Sequence, residues 1–176
     1  RDAWRLVAGK FGGYWDAFEA WNEPNLAPWP ADQYLPLVKI LGAAFNGQPA
    51  AAGVALVGGC FNPGAPAAYL DACADNGMLD VVDAVSFHLY TAPEALLPVV
   101  KFYRDWLQRQ GRPDFPLWIS EAGVAWPTNP EGRPAAEEGR AVAATHAMRG
   151  VEALAAGVER YYPFYLQKHV EGSIAW

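Results

Sequence analysis

Residues 81–90 read Val-Val-Asp-Ala-Val-Ser-Phe-His-Leu-Tyr, and the clearest indication of the fold lies in this segment. Val85, Phe87 and Leu89 alternate with Ala84, Ser86, His88 and Tyr90, which is the period of two that a β-strand produces. The large apolar set is expected to face surrounding helices. The other set is small at first and polar at the end, as on a strand whose second face lines the inside of a barrel. His88 and Tyr90 then lie together at the carboxyl end of this strand.

Outward from this strand, the chain alternates between strand-like and helix-like segments. Apolar runs predict strands at 14–22, 51–58, 81–90, 116–121 and 160–166, the last of them with Pro163 unusually placed inside it. Helical spacing predicts helices at 31–45, 66–76, 91–110 and 135–156, and the stretch 4–11 resembles the end of an earlier helix. Strands that alternate with helices form a parallel sheet covered by helices, so the fold class is α/β.

Two α/β architectures are open, a doubly wound sheet and a barrel. A doubly wound sheet with a nucleotide site would carry a Gly-x-Gly-x-x-Gly turn, and the sequence has none. A (β/α)₈ TIM barrel carries its chemistry at the carboxyl ends of several strands. Glu23 and Glu121 occupy such ends on two predicted strands, so we predict the TIM barrel.

The length of the chain limits how much of a barrel it can form. A full (β/α)₈ barrel takes about 250 residues, and 176 residues accommodate about five of its eight strands. We therefore expect residues 1–176 to form one catalytic barrel domain that lacks the first three βα units. Those units would lie upstream of Arg1, and other parts of the same barrel would be partners of this chain.

Composition excludes several classes of function. The chain is 52% hydrophobic and 18% charged, as in a globular protein. Its net charge of −6 argues against a nucleic-acid partner and against binding to an anionic membrane surface. No apolar stretch approaches the ~18 residues of a membrane span. Cys60 and Cys73 match no metal motif; two buried free thiols are favoured over a disulfide. The sequence does not indicate whether the protein is secreted or cytoplasmic.

Two short stretches carry the candidate chemistry. Residues 21–25 read Trp-Asn-Glu-Pro-Asn, and residues 118–123 read Trp-Ile-Ser-Glu-Ala-Gly. Hydrolysis of a glycosidic bond needs two carboxyl groups, one to protonate the leaving oxygen and one to attack or stabilise the sugar carbon. Glu23 and Glu121 are the candidates.

Strand alternation gives an expectation for each of the two glutamates. Asn22 and Glu23 should point in opposite directions, so the strand must bulge or turn if both are to reach a substrate, and Pro24 favours such a break. On the later strand, alternation places Glu121 on the same face as Leu117 and Ile119, with Trp118 packed outward.

These motifs resemble those of glycoside hydrolase clan A, a superfamily of (β/α)₈ retaining glycosidases. Trp-Asn-Glu-Pro-Asn resembles its acid/base motif, Ser-Phe-His-Leu-Tyr its sixth strand, and Trp-Ile-Ser-Glu-Ala-Gly its seventh strand, which carries the nucleophile. The resemblance spans nearly the whole chain, from the third helix to just past the eighth strand. It implies strands four to eight of the barrel.

The resemblance also implies roles for individual residues. Glu23 corresponds to the general acid/base and Glu121 to the nucleophile. Asn22 corresponds to the residue that binds the sugar 2-hydroxyl. His88 and Tyr90 correspond to groups that orient the carboxyls and the sugar. A retaining enzyme holds its two carboxyl groups about 5–5.5 Å apart, and we predict this spacing.

The predicted function is a retaining glycosidase that cleaves β-linked oligosaccharides or glycosides, with no metal or other cofactor. Trp29 and Trp126 lie in loops after the catalytic strands, where they serve either as stacking platforms for sugar rings or as ordinary lids. The main alternative is a non-catalytic carbohydrate-binding or scaffolding protein on a degenerate barrel. An aldolase-type barrel is a second alternative, but no lysine lies at the end of a predicted strand.

Overall fold

The computed structural model describes residues 1–26, 29–91, 93–124, 126–127, 135–164, 170–171 and 174–175. Five α-helices lie in these ranges: α1 Asp2–Phe11, α2 Ala31–Phe45, α3 Ala67–Asp75, α4 Leu96–Arg109 and α5 Ala136–Ala155. The strands are β1 Ala17–Glu19, β2 Ala55–Phe61, β3 Ala84–Leu89, β4 Leu117–Ala122, β5 Trp126–Pro127, β6 Arg160–Pro163, β7 Val170–Glu171 and β8 Ile174–Ala175.

Five of these strands form one parallel sheet in the order β1-β2-β3-β4-β6. The sheet curls into a half-barrel, and α2, α3, α4 and α5 connect its successive strands. The predicted α/β class and the alternation of strands and helices are therefore confirmed. The sequence pattern did not reveal the small antiparallel sheet β5-β8-β7, which pairs Trp126 with Ala175.

The main hydrophobic core lies between the helices and the outer face of this sheet. Val85, Phe87 and Leu89 belong to it and are fully buried. Ala84 lies on the other face, in a small second cluster with Val57 and Trp118. The alternation predicted for β3 is therefore confirmed. In β4 the prediction was wrong: Leu117 and Ile119 belong to the helix-side core, whereas Trp118 faces the inside of the half-barrel.

Several boundaries differ from those predicted. The first strand, predicted over residues 14–22, is confined to β1, since a 3₁₀ turn at residues 12–14 precedes it and Trp21, with a φ of 101°, follows it. Residues 93–95 also form a 3₁₀ turn, so the helix predicted from residue 91 begins at Leu96. Pro163 is the last residue of β6, which is an edge strand, and an edge tolerates the missing N–H of proline.

The two thiols are free and buried, as the sequence analysis favoured. Cys60 is 1% exposed at the carboxyl end of β2, and Cys73 is 0% exposed in α3. Within the described ranges, no helix is both long and apolar enough to cross a membrane.

Candidate active site

A β-bulge in β4 turns Glu121 toward the inside of the half-barrel. Ile119 pairs with Phe87 of β3, but the next pair joins Glu121 to His88, so Ser120 is an extra residue. Because side chains alternate along a strand, one inserted residue moves every later side chain to the opposite face. Glu121 therefore lies on the inner face beside His88, although Ile119 belongs to the helix-side core. The next residue, Ala122, pairs with Leu89 and lies in that core.

A second bulge lies in β2, directly across β3. Gly58 pairs with Val85 and Phe61 with Phe87, so Gly59 and Cys60 together face Ser86. Gly59 has a φ of +97° and Cys60 a φ of 48°, both in the left-handed region. A Cβ at residue 59 would lie 2.7 Å from the carbonyl oxygen of Ser86, so only glycine fits there.

Beyond the end of β1, the chain turns sharply at Trp21 and Glu23. Their φ angles are 101° and 47°, and such angles are costly for residues other than glycine. The Glu23 amide donates to the Cys60 carbonyl at 3.0 Å, which holds the turn against the β2 bulge. The expected break in the strand is therefore present. Trp21, Glu23 and Cys60 are the non-glycine residues with positive φ among those described, and strained backbone of this kind clusters at functional sites.

His88 lies between the two glutamates. Its Nδ1 is 2.7 Å from Oε1 of Glu23, and its Nε2 is 3.4 Å from Oε2 of Glu121. The ring is 1% exposed, whereas the two glutamate side chains are 19% and 24% exposed. One buried imidazole therefore contacts both carboxylates, and both carboxylates remain accessible to solvent.

Each carboxylate has a further hydrogen-bond donor. The Tyr90 hydroxyl donates to Oε1 of Glu121. The Asn62 side-chain amide donates to Oε1 of Glu23 at 3.0 Å, and the backbone N–H of Asn62 donates to Oδ1 of Asn25 at 2.9 Å. Asn25, the second asparagine of the Trp-Asn-Glu-Pro-Asn motif, thus binds the backbone of Asn62, and the side chain of Asn62 binds Glu23. These donors fix the orientation of both carboxyl groups.

Cys60 and Ser86 form a buried polar layer beneath the glutamates. The Cys60 Sγ lies 3.1 Å from Nε2 of His88 and 3.6 Å from Oδ1 of Asn22. The Ser86 hydroxyl accepts from the Cys60 amide at 2.9 Å and donates to the Glu19 carboxylate at 2.5 Å. Burial, and then the charge of Glu19, raise the pKa of the Cys60 thiol, so it remains protonated and can donate to His88.

The structure brings some of the predicted site residues into contact, while others are not part of the same network. Glu23, Glu121, His88 and Tyr90 are in direct contact, and Asn22 joins them through Cys60. The Trp126 side chain lies outside the described part of the structure.

Trp29 stacks on Trp21, with ring centroids 4.6 Å apart and planes 17° from parallel, so the two indoles form one unit. Trp21 is 48% exposed, so it is the more accessible indole of the pair. Trp21 lies two positions before Glu23 in the chain.

Sequence reasoning missed Asn62, Cys60, Ser86 and Glu19. Asn62 follows β2 directly, at the same edge of the sheet as Glu23 and Tyr90, and its place after a strand was a signal that could have found it. Cys60 gave no such signal, because a cysteine at the end of an apolar run is more often a buried core residue.

A small cavity lies on the inner face of the sheet, next to Glu19. It has a volume of about 210 Å³ and is lined by Glu19, Trp118, Ser120 and Tyr162, among others. Another cavity, of about 620 Å³, lies by the amino ends of β2 and β3, where Leu56 and Asp83 line it, and it is remote from the two glutamates. Among the described residues, no group of His, Cys, Asp or Glu is arranged to hold a metal ion.

This arrangement suits the transfer of a proton together with attack by a carboxylate. When the ring proton of His88 is on Nδ1, the imidazole donates to Glu23 and its Nε2 accepts from Cys60. Glu121 accepts from Tyr90, which leaves its second oxygen on the side of His88. Two oriented, partly exposed carboxyl groups at one edge of the sheet, on either side of His88, are the minimum that glycosidic hydrolysis requires.

Comparison with solved structures finds glycosidase barrels. The chain is similar to a mutant of a GH128 (subgroup I) endo-β-1,3-glucanase from Amycolatopsis mediterranei, with 22% identity and a TM-score of 0.59 over 95% of this chain and 69% of that one. The glucanase in complex with laminaritriose matches with 25% identity and a TM-score of 0.51 over 86% of this chain and 62% of that one.

Xylanase 10B from Thermotoga petrophila RKU-1, in complex with xylobiose, matches with 15% identity and a TM-score of 0.55 over 93% of this chain and 52% of that one. No protein-family model and no curated protein matches the sequence. At these identities the likeness shows the fold alone: the chain has an α/β half-barrel like part of a TIM barrel.

Proposed function

We propose that the protein is a retaining glycoside hydrolase that cleaves β-glycosidic bonds by double displacement. Glu121 attacks the anomeric carbon and forms a glycosyl ester, while Glu23 gives its proton to the departing glycosidic oxygen. Glu23 then takes a proton from water, and the resulting hydroxide attacks the anomeric carbon and releases Glu121. The sugar leaves with its anomeric configuration retained.

The contact of His88 with both carboxylates carries this proposal. The two groups need opposite protonation states at the start of the reaction, because one is an acid and the other a nucleophile. A neutral imidazole with its proton on Nδ1 can donate to Glu23 and leaves Glu121 to accept from Tyr90. His88 and Asn62 both donate to Oε1 of Glu23, which leaves Oε2 to carry the proton that the acid role requires.

The remaining groups support substrate binding. Asn22 is exposed beside Glu23 and is proposed to bind the sugar 2-hydroxyl. The exposed face of Trp21, supported from behind by Trp29, offers an apolar platform to a sugar ring. Similarity to a β-1,3-glucanase and to a xylanase makes β-linked glucans and xylans the first substrates to test.

The proposal includes the place of this chain within a barrel. The five parallel strands would be strands four to eight, which puts Glu23 after the fourth strand and Glu121 on the seventh. Both outer strands of the sheet, β1 and β6, lack a neighbour among the described residues. Three further βα units would pair with these edges and close the site, so activity is expected of the whole barrel.

The experiment is a mechanism-based label on the full-length protein. Activated 2-deoxy-2-fluoroglycosides of glucose and xylose should form a stable ester that peptide mapping by mass spectrometry locates at Glu121. Glu121→Gln should abolish labelling. Glu23→Ala should lose turnover of natural glycans but retain the first step with aryl substrates that have good leaving groups, and azide should accelerate its second step.

Two matched controls isolate these roles. Glu137→Gln and Glu159→Gln change carboxylates that take no part in the two-glutamate site and should leave turnover unchanged. If the protein binds laminarin or xylan without hydrolysing either, and no label reaches Glu121, the non-catalytic alternative replaces the hydrolase.

A further inference from the structure

The side chain of Arg149, in α5, is buried, and among the described residues no carboxylate forms an ion pair with it, although the charge of Glu94 acts on it from a distance. Arg149 is 2% exposed. Its Nη1 donates to the carbonyl of Gly123 at 2.9 Å, and its Nη2 donates to the carbonyl of Thr91. Within the described ranges, Arg149 takes part in none of the ion pairs. Burial lowers the pKa of its guanidinium, so the charge is held at a cost in desolvation.

The two carbonyl groups belong to the strand ends that carry Tyr90 and Glu121. Thr91 follows Tyr90 directly, and Gly123 lies two residues after Glu121. Both lie beyond Leu89 and Ala122, the last paired residues of β3 and β4. The Gly123 amide also donates to the carbonyl of Leu89 at 3.1 Å. Arg149 therefore extends the connection between the two strands past the point where their ladder ends.

The shape of arginine suits this connection, because two carbonyls on different strands are bound by one side chain. Its planar guanidinium presents donors in a fixed fork and can reach two acceptors on different strands, whereas lysine has a single charged nitrogen. The connection matters here because the bulge at Ser120 interrupts the regular ladder just before Glu121. The hydrogen bond from Tyr90 to Glu121 requires the two strand ends to keep a fixed offset.

We propose that Arg149 is a positioning residue for Glu121: by binding both strand ends, it sets the offset at which Tyr90 orients the attacking carboxylate. The inference rests on the proposed function and deepens it. It also explains why α5 buries a charged side chain at this position. An apolar side chain there would be buried without the desolvation cost of a charge.

Arg104 provides a matched control at the opposite end of the sheet. It lies in α4, and its guanidinium also binds carbonyls on two different connections: Phe115 at 2.7 Å and Pro113 at 3.4 Å on one, and Gly157 at 2.5 Å on the other. Phe115 precedes β4 and Gly157 precedes β6. Arg104 thus makes the same kind of contact at the amino ends of the strands, away from both glutamates, and burial likewise lowers its pKa.

The experiment compares Arg149→Met, Arg149→Lys and Arg104→Met in the full-length protein. For Arg149→Met we expect kcat to fall about 100-fold with little change in KM, since a misplaced reacting group costs about that much. In Arg149→Lys the fall in kcat should be smaller. Arg104→Met should lower the melting temperature but leave kcat unchanged. The rate of fluoroglycoside labelling at Glu121 should follow kcat.

Wild-type kcat in a folded Arg149→Met protein would overturn the inference, and so would an equal loss in Arg104→Met. If Arg149→Met does not fold, Arg149→Lys decides, and wild-type kcat in that variant has the same meaning. Exchange of the Gly123 amide hydrogen tests the positioning without any activity: it should be faster in Arg149→Lys and unchanged in Arg104→Met. If the Gly123 amide exchanges faster in Arg149→Lys but fluoroglycosides never label Glu121 in the parent protein, the result counts against the proposed function and not against the contact that Arg149 makes.

Discussion

His88 Nδ1 lies 2.7 Å from Oε1 of Glu23, although the two residues are 65 positions apart in the chain. The contact forms because β1 and β3 both flank β2, whose bulge brings Cys60 between them. The other side of the same ring packs against Glu121, with Nε2 3.4 Å from Oε2, so the placement of both carboxylates depends on one buried imidazole.

The first prediction follows from that dependence. His88→Gln retains one amide donor but cannot contact Glu23 and Glu121 together, so kcat should fall about 100-fold as both groups lose their alignment. Steady-state kinetics on an aryl β-glycoside give kcat and KM. The control is His146→Gln, which changes a histidine in α5 that contacts neither glutamate. A His88→Gln protein with wild-type kcat would show that the imidazole does not orient the site.

The β2 bulge gives a second prediction. Gly59→Ala should lower the free energy of unfolding by about 1–3 kcal/mol, because alanine is strained at a φ of +97° and its Cβ would meet the Ser86 carbonyl at 2.7 Å. The bulge should shift with it, which moves Cys60 away from His88 and lowers kcat. Urea unfolding and steady-state kinetics measure the two effects.

Two glycines separate the causes of that loss. Gly64 has a φ of +96° with open space around its Cβ position, so Gly64→Ala reports backbone strain alone. Gly53 has open space and no positive φ, so Gly53→Ala should change stability by less than about 0.5 kcal/mol. Equal destabilisation in Gly59→Ala and Gly53→Ala would mean that the bulge does not need glycine.

These features mark how far sequence reasoning reaches. The faces of β3 were predicted correctly because its own residues alternate without interruption from Ala84 to Leu89. The faces of β4 were not, because a period of two assumes one residue per pairing position, and Ser120 breaks that assumption. A serine in this position looks like any other residue of an alternating strand, so nothing in the sequence identifies Ser120 as the extra residue.

The candidate site shows the same division. Glu23, Glu121, His88 and Tyr90 could be found because polar residues at the ends of apolar strands are unusual and fall at one edge of a parallel sheet. Arg149 could not be found in this way, because an arginine in a helix of polar and apolar residues is normally exposed to solvent. Its burial depends on how α5 packs over the strand ends.

The buried thiols give a third prediction. Cys60 and Cys73 are 1% and 0% exposed, and burial raises the pKa of both thiols, that of Cys73 to about 12. Since the thiolate is the reactive form, iodoacetamide at pH 8 should modify neither residue in the folded protein and both in urea, as peptide mapping would show. Gly13→Cys adds an exposed thiol as a positive control. Rapid labelling of Cys60 under native conditions would mean that the layer beneath the glutamates is open.

The fourth prediction concerns stability at acid pH. His146 is half-buried in α5, with Nδ1 3.3 Å from the Tyr161 hydroxyl. Burial, and then the positive charge of Arg149, lower the pKa of His146 below its usual value. The unfolded chain therefore binds a proton at this residue more readily than the folded chain does, and stability is lost as the pH falls through about 6.5, the pKa of an unperturbed histidine.

His146→Gln removes this titration and keeps a side chain that can bond to Tyr161. Urea unfolding at pH 7.5 and at pH 5.5 should show a smaller loss of stability in the variant than in the parent protein. Above pH 7.5 the histidine is neutral in both folded and unfolded states, so its titration contributes no pH dependence there. An equal loss in both proteins on acidification would assign the acid sensitivity to other groups, and a larger loss in the variant would mean that protonation of His146 stabilises the fold, the reverse of what its burial beside Arg149 requires.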